Sequence, residues 1–349
     1  MKREVYESQK AFAGEKKESM QRRCVDHDYT KRMMYMVTMV CEGRRPLLGK
    51  VVGRSDALDD SEDAPRTELT ELGRKVQSCW YEIAVRYPEI EVVALQMMPD
   101  HLHGILFVKE SIERPLGKIL LGFKQGCNKA YRELVPSVAV LQQQTVHQQT
   151  EKTDRTHGLL FAPGFNDKLL LRQGQLQRWL DYLRDNPRRL LLKREHPDLL
   201  RPFFNLKLGS HVYSGIGNRA LLCAPQRIAV RVSRRLTGEK LDAEVAQYIE
   251  VAKRGAVLIS PAISPGEKRI MRQVFDLDLP TIVILRNGFT PLSKPHGEQI
   301  DACAQGRLLM LSAWEHTNER VALTAYDCQQ MNLMAWELSQ GIFPSPPYT

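Results

Sequence analysis

The stretch QMMPDHLHGILFV, residues 96 to 108, places two histidines one residue apart inside an apolar run typical of a β-strand. Because alternate residues of a strand point to the same face, His101 and His103 project together and Leu102 turns to the opposite face. Two neutral imidazoles at this spacing are able to share one divalent ion. The alternative is a pair of histidines hydrogen-bonded at the edge or rim of a sheet. The apolar flanks indicate that both rings need partners, because a buried polar group without one is costly.

The segments around this stretch predict an α+β domain with antiparallel strands. Short apolar, β-prone runs predict strands at 33–43, 90–98, 101–108 and 159–171. Apolar residues at three- and four-residue steps predict helices at 66–88, 115–134 and 174–193. Pro99 and Asp100 predict a tight hairpin, and Thr67 is a candidate cap of the first helix. Pro187 is expected to end or kink the last helix near Asn186.

The pattern changes after about residue 205. Continuous apolar runs, typical of strands covered on both faces, occur at 255–260, 281–285 and 307–314, and helical stretches occur at 264–276, 297–304 and 320–338. This alternation predicts a small α/β domain with a parallel sheet. Ser264, Pro265 and Glu267 fit the start of a helix with a capping box. We expect a charged tail at 1–29, an α+β domain at 30–205 and an α/β domain at 206–349.

Composition narrows the class of protein. The 349 residues carry a net charge of +9, which favours a polyanionic partner. No apolar run approaches the ~18 residues of a membrane span, and the charged N-terminus has no apolar segment of a secretory signal. The seven cysteines form no CxxC pair, which argues against a zinc ribbon or a disulfide framework. We expect a cytoplasmic protein without a membrane partner.

A second stretch, WLDYLRDNP at 179–187, carries a candidate nucleophile. Tyr182 and Asn186 are four residues apart and therefore share one face of a helix. Asn186 offers an amide oxygen to a hard cation, and Tyr182 brings a phenol to the same place. A phenol becomes useful as a nucleophile when a metal ion polarises the target phosphate. The alternative is that Tyr182 packs beside Trp179 and that Asn186 caps the helix before Pro187.

These two stretches, with two others, resemble the HUH single-tyrosine transposases. MPDHLHGILFV resembles the HUH motif of histidine, hydrophobic residue and histidine, and DYLRDNPRR resembles the tyrosine helix of the REP-associated tyrosine transposase branch. MVTMVCEGRRPLLG is similar to the opening strand and turn of that family, and FAPGFNDKLLL to the segment before the tyrosine helix. The four matches are collinear and cover roughly residues 30 to 200.

The resemblance implies a site and a reaction. His101 and His103 would bind Mg²⁺ or Mn²⁺, and Asn186 would complete the site. Tyr182 would attack a phosphate of single-stranded DNA, which leaves a free 3′-OH and a 5′-phosphotyrosine link. A second 3′-OH would then reverse the attack and join new ends without ATP. Members of this family work as homodimers and recognise DNA hairpins, such as those of palindromic repeats, so we expect both properties here.

Basic residues on the two helices next to these motifs are candidates for phosphate contacts. They are Lys118, Lys124, Lys129 and Arg132 on the earlier helix, and Arg178, Arg184, Arg188 and Arg189 around the tyrosine. For each of them the alternative is a solvated helix face.

Two features depart from the family pattern. The Gln-rich segment 141–158 is longer than expected, and the chain continues from about residue 200 to residue 349. The added domain is similar to the Rossmann-like domain of DNA-processing protein A and of lysine-decarboxylase-like proteins, but it has no GxGxxG or Walker motif. Arg286, Lys294 and His296 are expected near strand ends, where open α/β sheets bind ligands. A structural or DNA-end-binding role and a nucleotide-binding role are the two alternatives for this domain.

Three functions therefore fit the sequence. The first is a metal-dependent single-stranded DNA endonuclease and strand transferase. The second is a domesticated, REP-associated protein that nicks DNA or binds hairpins, which would keep the same catalytic residues. The third is a non-catalytic DNA-binding module in which the histidines are residues at the edge of a sheet.

Overall fold

The computed structural model describes residues 27–135, 159–319 and 322–341. These residues form two compact units, which meet in the sequence between Leu191 and Leu192. The first unit contains a four-stranded antiparallel sheet and the second a six-stranded mixed sheet, each flanked by helices. The predicted fold class, an antiparallel α+β domain followed by an α/β domain with parallel strands, is confirmed. Residues 1–26 of the predicted tail and the whole Gln-rich segment lie outside the described residues.

The antiparallel sheet of the first unit positions the two histidines. Its strands, in the order β4-β5-β1-β6, are β1 (Met33–Val40), β4 (Ile90–Met98), β5 (His101–Val108) and β6 (Asn166–Leu169). A separate hairpin pairs β2 (Gly49–Val52) with β3 (Arg66–Leu69). Met98 pairs with His101, so Pro99 and Asp100 form the predicted tight turn. The register sets Thr38 of β1 opposite His103.

Two helices, α1 (Glu71–Arg86) and α2 (Leu116–Leu134), pack on one face of this sheet. The helix predicted at 66–88 begins later than expected, because residues 66–69 pair with β2 as strand β3. The cap is Thr70, whose side chain accepts a hydrogen bond from the Gly73 N–H. The prediction of Thr67 as the cap is therefore wrong, and strand pairing explains why.

The contact between Gly104 and Trp80 sets how closely α1 approaches the sheet. A Cβ on Gly104 would lie 2.1 Å from the fully buried Trp80 ring. We expect Gly104→Val to lower the free energy of unfolding by about 3 kcal/mol, measured by chemical denaturation. Gly122→Ala in α2 is the control, because no described atom outside the backbone of its own helix lies within 4 Å of the added Cβ. This variant should be as stable as the wild type or slightly more stable. Equal stability of Gly104→Val and the wild type would contradict this packing.

The opposite face of the sheet is covered by α3 (Gln175–Glu195). Its apolar stripe packs against Met36 and Ile105 of the sheet through Leu176, Trp179, Leu180 and Leu183. The helix does not end at Asn186 but continues through Pro187. Proline removes one backbone hydrogen bond, a cost of ~3 kcal/mol. Leu183 and Leu191 are buried on either side of Pro187, and their packing offsets that cost.

The second unit has a mixed sheet in the order β7-β8-β12-β11-β10-β9. Its strands are β7 (Phe203–Leu208), β8 (His211–Gly217), β9 (Arg227–Ala229), β10 (Val257–Ser260), β11 (Thr281–Ile284) and β12 (Leu308–Ser312). Strands β9 to β12 are parallel, and β8 and β7 add an antiparallel edge that the sequence did not indicate. Strand β7 spans the position 205/206 at which the sequence suggested a domain boundary.

Helices lie on both faces of this second sheet. They are α4 (Pro197–Leu200), α5 (Gly238–Lys253), α6 (Pro265–Asp276), α7 (Gln299–Ala304) and α8 (Ala325–Gln340). The predicted capping box at the start of α6 is confirmed, since Ser264 and Glu267 cap each other's backbone. Arg286 is paired with Asp327 at 2.7 Å and lies over the Trp314 ring. No helix of the described residues is long and apolar enough to cross a membrane.

Candidate active site

Strand β5 carries His101 and His103 on the face that α3 covers. Ile105, two residues further on, packs with Leu183 of α3, whereas Leu102 belongs to the core under α1 and α2. The alternation predicted from the sequence is therefore confirmed. The two imidazole centroids lie 4.8 Å apart. Because β5 lies between β4 and β1, these histidines are not on an edge strand. His101 is the first residue of β5, so the pair begins at the end of the sheet, as the rim alternative also expects.

Each histidine uses its Nδ1 for a contact inside the unit. His101 Nδ1 lies 2.5 Å from Asp100 Oδ1, and His103 Nδ1 lies 2.8 Å from Thr38 Oγ1. Because a carboxylate only accepts, His101 Nδ1 carries the proton, and the lone pair of the neutral form of this ring is on Nε2. Neither Nε2 atom has a hydrogen-bond partner among the described residues. Metal-binding histidines have this arrangement, with one nitrogen held by the protein and the other presented to the ion.

Burial keeps His103 neutral. Loss of solvation, followed by the positive charges of His101 and Arg44, lowers the pKa of His103 to about 3. A neutral imidazole is the form that binds a metal ion. Partial burial would raise the pKa of Asp100, but the hydrogen bond and charge of His101, together with Arg44, hold that pKa below its ordinary value. Asp100 is therefore an anion that holds His101 in place.

Helix α3 brings Tyr182 to the histidines. Its ring centroid lies 5.8 Å from that of His103, and the side chain is 36% exposed. Tyr182 is not among the residues of the apolar cluster that contains Trp179. Asn186 is not a helix cap, because α3 continues past it, so the prediction of a cap is wrong.

Asn186 is buried one helical turn after Tyr182, and its Nδ2 has no hydrogen-bond partner within the described part of the chain. A buried amide without a partner is costly, so this side chain has bonding capacity for a ligand. Turned about its last torsion angle, the amide presents an oxygen in place of the nitrogen. Two imidazoles and one amide oxygen form a mixed nitrogen and oxygen donor set for a divalent ion, with water or phosphate oxygens to complete the coordination. Within the described residues, no group of three or more His, Cys, Asp or Glu side chains is placed to hold a metal ion.

The basic residues around Tyr182 are largely matched by carboxylates. Arg184 lies 3.6 Å from Asp181, and Arg188 and Arg189 lie 3.7 and 2.5 Å from Asp185. Arg189 also lies over the Tyr182 ring, 5.3 Å from its centroid. Arg189, one of the four arginines predicted around the tyrosine, is therefore in contact with it. Arg178 donates to the carbonyl of Gly174, which directly precedes α3.

The basic residues of α2 differ in their hydrogen bonds and in their exposure to solvent. Lys124 donates to the carbonyls of Ala162 and Gly164 and so fastens the segment before β6. Arg132 donates to Asn128 in the preceding turn. Lys118 and Lys129 are exposed.

Three residues next to the site were not found from the sequence: Thr38, Asp100 and Arg44. Asp100 directly precedes His101, so its position in the motif was a usable signal. Thr38 comes into contact only through the register of β1 on β5. Arg44, in the turn after β1, lies 3.2 Å from Asp100, and no sequence pattern predicted this ion pair.

Comparisons with known proteins give weak likenesses. No protein-family model matches the chain. Over 87 residues the chain is 25% identical to an uncharacterized protein of Haemophilus influenzae, which covers 25% of this chain and 42% of that protein. The chain thus matches less than half the length of this curated relative.

Two solved structures are similar to parts of the chain. A REP-associated tyrosine transposase bound to a REP hairpin aligns with 46% of this chain and 70% of its own, at 14% identity and a TM-score of 0.29. DNA processing protein A from Helicobacter pylori, studied for its single-stranded DNA binding mode, aligns with 40% of this chain and 66% of its own, at 19% identity and a TM-score of 0.31. These scores are low, so the chemistry of the site is inferred from its own side chains.

Proposed function

We propose that the first unit is a metal-dependent endonuclease and strand transferase of single-stranded DNA. One observation carries this proposal. The ring of His103 lies beside that of His101 and beside the partly exposed ring of Tyr182. Among the described residues, neither histidine Nε2 nor the Asn186 Nδ2 has a hydrogen-bond partner. A nucleophile next to a set of metal donors is the arrangement that phosphoryl transfer with a covalent intermediate requires.

In this proposal His101, His103 and Asn186 hold a Mg²⁺ or Mn²⁺ ion. Such an ion, when bound, neutralises charge on a phosphate oxygen and makes the phosphorus a better electrophile. Tyr182 Oη loses its proton to solvent and attacks phosphorus, the P–O3′ bond breaks, and the leaving oxygen takes up a proton. Arg189, held over the ring by Asp185, stabilises the developing phenolate. One phosphodiester replaces another, so a second 3′-OH can reverse the step without ATP.

The partner in this proposal is single-stranded DNA that carries a hairpin of a palindromic repeat, bound by a homodimer. Both features come from the family resemblance. Sedimentation of the full-length protein with and without hairpin DNA tests them together. A monomer that binds unstructured DNA equally well would contradict them.

Covalent trapping tests the reaction itself. The full-length protein is incubated with Mn²⁺ and a pool of hairpin oligonucleotides that carry different labels at their 5′ and 3′ ends. We expect a band on a denaturing gel that contains protein and the 3′ label, and a released strand with the 5′ label whose 3′-OH a polymerase extends. An adduct that carries the 5′ label, or no adduct, would contradict the proposed polarity or the proposed function.

A further inference from the structure

An arginine outside the predicted site contacts the carboxylate that holds His101. Arg44 Nη1 lies 3.2 Å from Asp100 Oδ2, while Asp100 Oδ1 holds His101. One carboxylate thus connects the guanidinium to a histidine of the proposed metal site. The Arg44 side chain is 47% exposed, so it is accessible to a ligand from solvent.

The turn that carries Arg44 is held in an unusual conformation. Gly43 and Arg44 have φ angles of 64° and 51°, in the left-handed region that a side chain such as arginine disfavours. Arg45 fixes this turn, since its Nε donates to the Glu42 carbonyl and its Nη1 to the Tyr131 hydroxyl. Backbone strain of this kind persists where the surroundings fix it, and it is common at ligand sites.

The Arg44 guanidinium has donors left for a ligand. Of its five N–H groups, one contacts Asp100, and no other acceptor is within hydrogen-bonding distance among the described residues. Arg54, in the same unit, differs from Arg44 in its pairing, because two of its nitrogens donate to the two oxygens of Asp56. An exposed guanidinium with free N–H groups is suited to a phosphate, which it can bind through two parallel hydrogen bonds.

We propose that Arg44 binds a backbone phosphate of the DNA strand at this site and that Asp100 positions both Arg44 and His101. This inference rests on the proposed function for the identity of the ligand, a single-stranded phosphodiester chain. The alternative is that Arg44 only neutralises Asp100. The two readings differ in what they expect of DNA binding without any metal ion.

The first experiment measures DNA binding by fluorescence anisotropy in a chelating buffer at several salt concentrations. We expect Arg44→Ala to weaken binding of a hairpin oligonucleotide about tenfold and to reduce the slope of log K against log salt by ~0.7, the loss of one phosphate contact. Arg44→Asn also removes the positive charge, and asparagine tolerates a positive φ. We expect it to weaken DNA binding as much as Arg44→Ala does. Arg44→Lys should retain part of the affinity. Arg54→Ala, the matched control, should bind as the wild type does.

The second experiment measures Mn²⁺ affinity by titration calorimetry without DNA. Asp100→Asn should weaken Mn²⁺ binding by ~10–100-fold, because it loses the carboxylate that holds His101. Arg44→Ala should bind Mn²⁺ as tightly as the wild type or more tightly, since a neighbouring positive charge is gone. If Asp100→Asn weakens Mn²⁺ binding and Arg44→Ala weakens DNA binding, then Asp100 positions the metal site and Arg44 binds the phosphate.

The outcomes distinguish this inference from the proposed function. If Arg44→Ala and Arg44→Asn, folded as judged by thermal unfolding, bind DNA with the affinity and salt slope of Arg54→Ala, then Arg44 is not a phosphate ligand. If Asp100→Asn binds Mn²⁺ normally, Asp100 does not position the metal site. If the wild type forms no adduct and Arg44→Ala still lowers DNA affinity, the cleavage chemistry fails and the phosphate contact stands.

Discussion

Replacement of Tyr182 by phenylalanine is expected to remove the covalent DNA adduct and to leave the fold unchanged. The phenol is partly exposed, so loss of its hydroxyl leaves no buried group without a partner. The ring contacts to His103 and Arg189 need no hydroxyl. We expect adduct formation to fall by roughly 1,000-fold or more, because no other group replaces a missing nucleophile. The measurement is the initial rate of adduct formation on denaturing gels.

Tyr81→Phe is the matched control for this variant. Tyr81 is also an exposed tyrosine on a helix, 48% exposed in α1, and α1 packs on the face of the sheet away from the histidines. It should form adduct at the wild-type rate. An undiminished adduct with Tyr182→Phe would rule out Tyr182 as the nucleophile.

Loss of either histidine is expected to abolish the response to a divalent ion. His101→Ala or His103→Ala removes one of the two imidazoles, and the remaining donors are one imidazole and a neutral amide. We expect Mn²⁺ affinity to fall by more than ~100-fold, beyond the 10–100-fold typical of an outer-shell residue, and adduct formation to fall with it. Calorimetry and the gel assay measure the two effects.

His296→Ala is the control for the histidine variants, because His296 is an exposed histidine of the second unit. Chelation of divalent ions should stop the wild-type reaction, and added Mn²⁺ should restore it. Adduct formation that persists in chelator, or in both histidine variants, would show that the reaction needs no metal at this place.

Much of this site could be predicted because its parts follow local periodicity. The two-residue repeat of a strand puts His101 and His103 on one face, and the helical repeat puts Asn186 one turn after Tyr182. That the strand and the helix face each other was inferred only from the family resemblance, and packing of Leu183 on Ile105 accounts for it.

The remaining features depend on contacts distant in sequence. Thr38 reaches His103 through the pairing of β1 with β5, and Arg44 reaches Asp100 across the ends of two strands. The continuation of α3 through Pro187 was missed for a similar reason, since tertiary packing there outweighs a local rule. The antiparallel edge β7–β8 likewise depends on pairing with β12.

Identification of the residue that is covalently linked to DNA tests the proposed chemistry most directly. Trypsin cleavage after Arg178 and Arg184 would release the peptide WLDYLR, residues 179–184. After trapping with hairpin DNA and Mn²⁺ and digestion by a nuclease, mass spectrometry should find this peptide with one nucleotide 5′-phosphate on Tyr182. A nucleotide on any other residue, or an unmodified WLDYLR peptide from a purified adduct, would contradict the assignment of Tyr182 and with it the proposed function of the first unit.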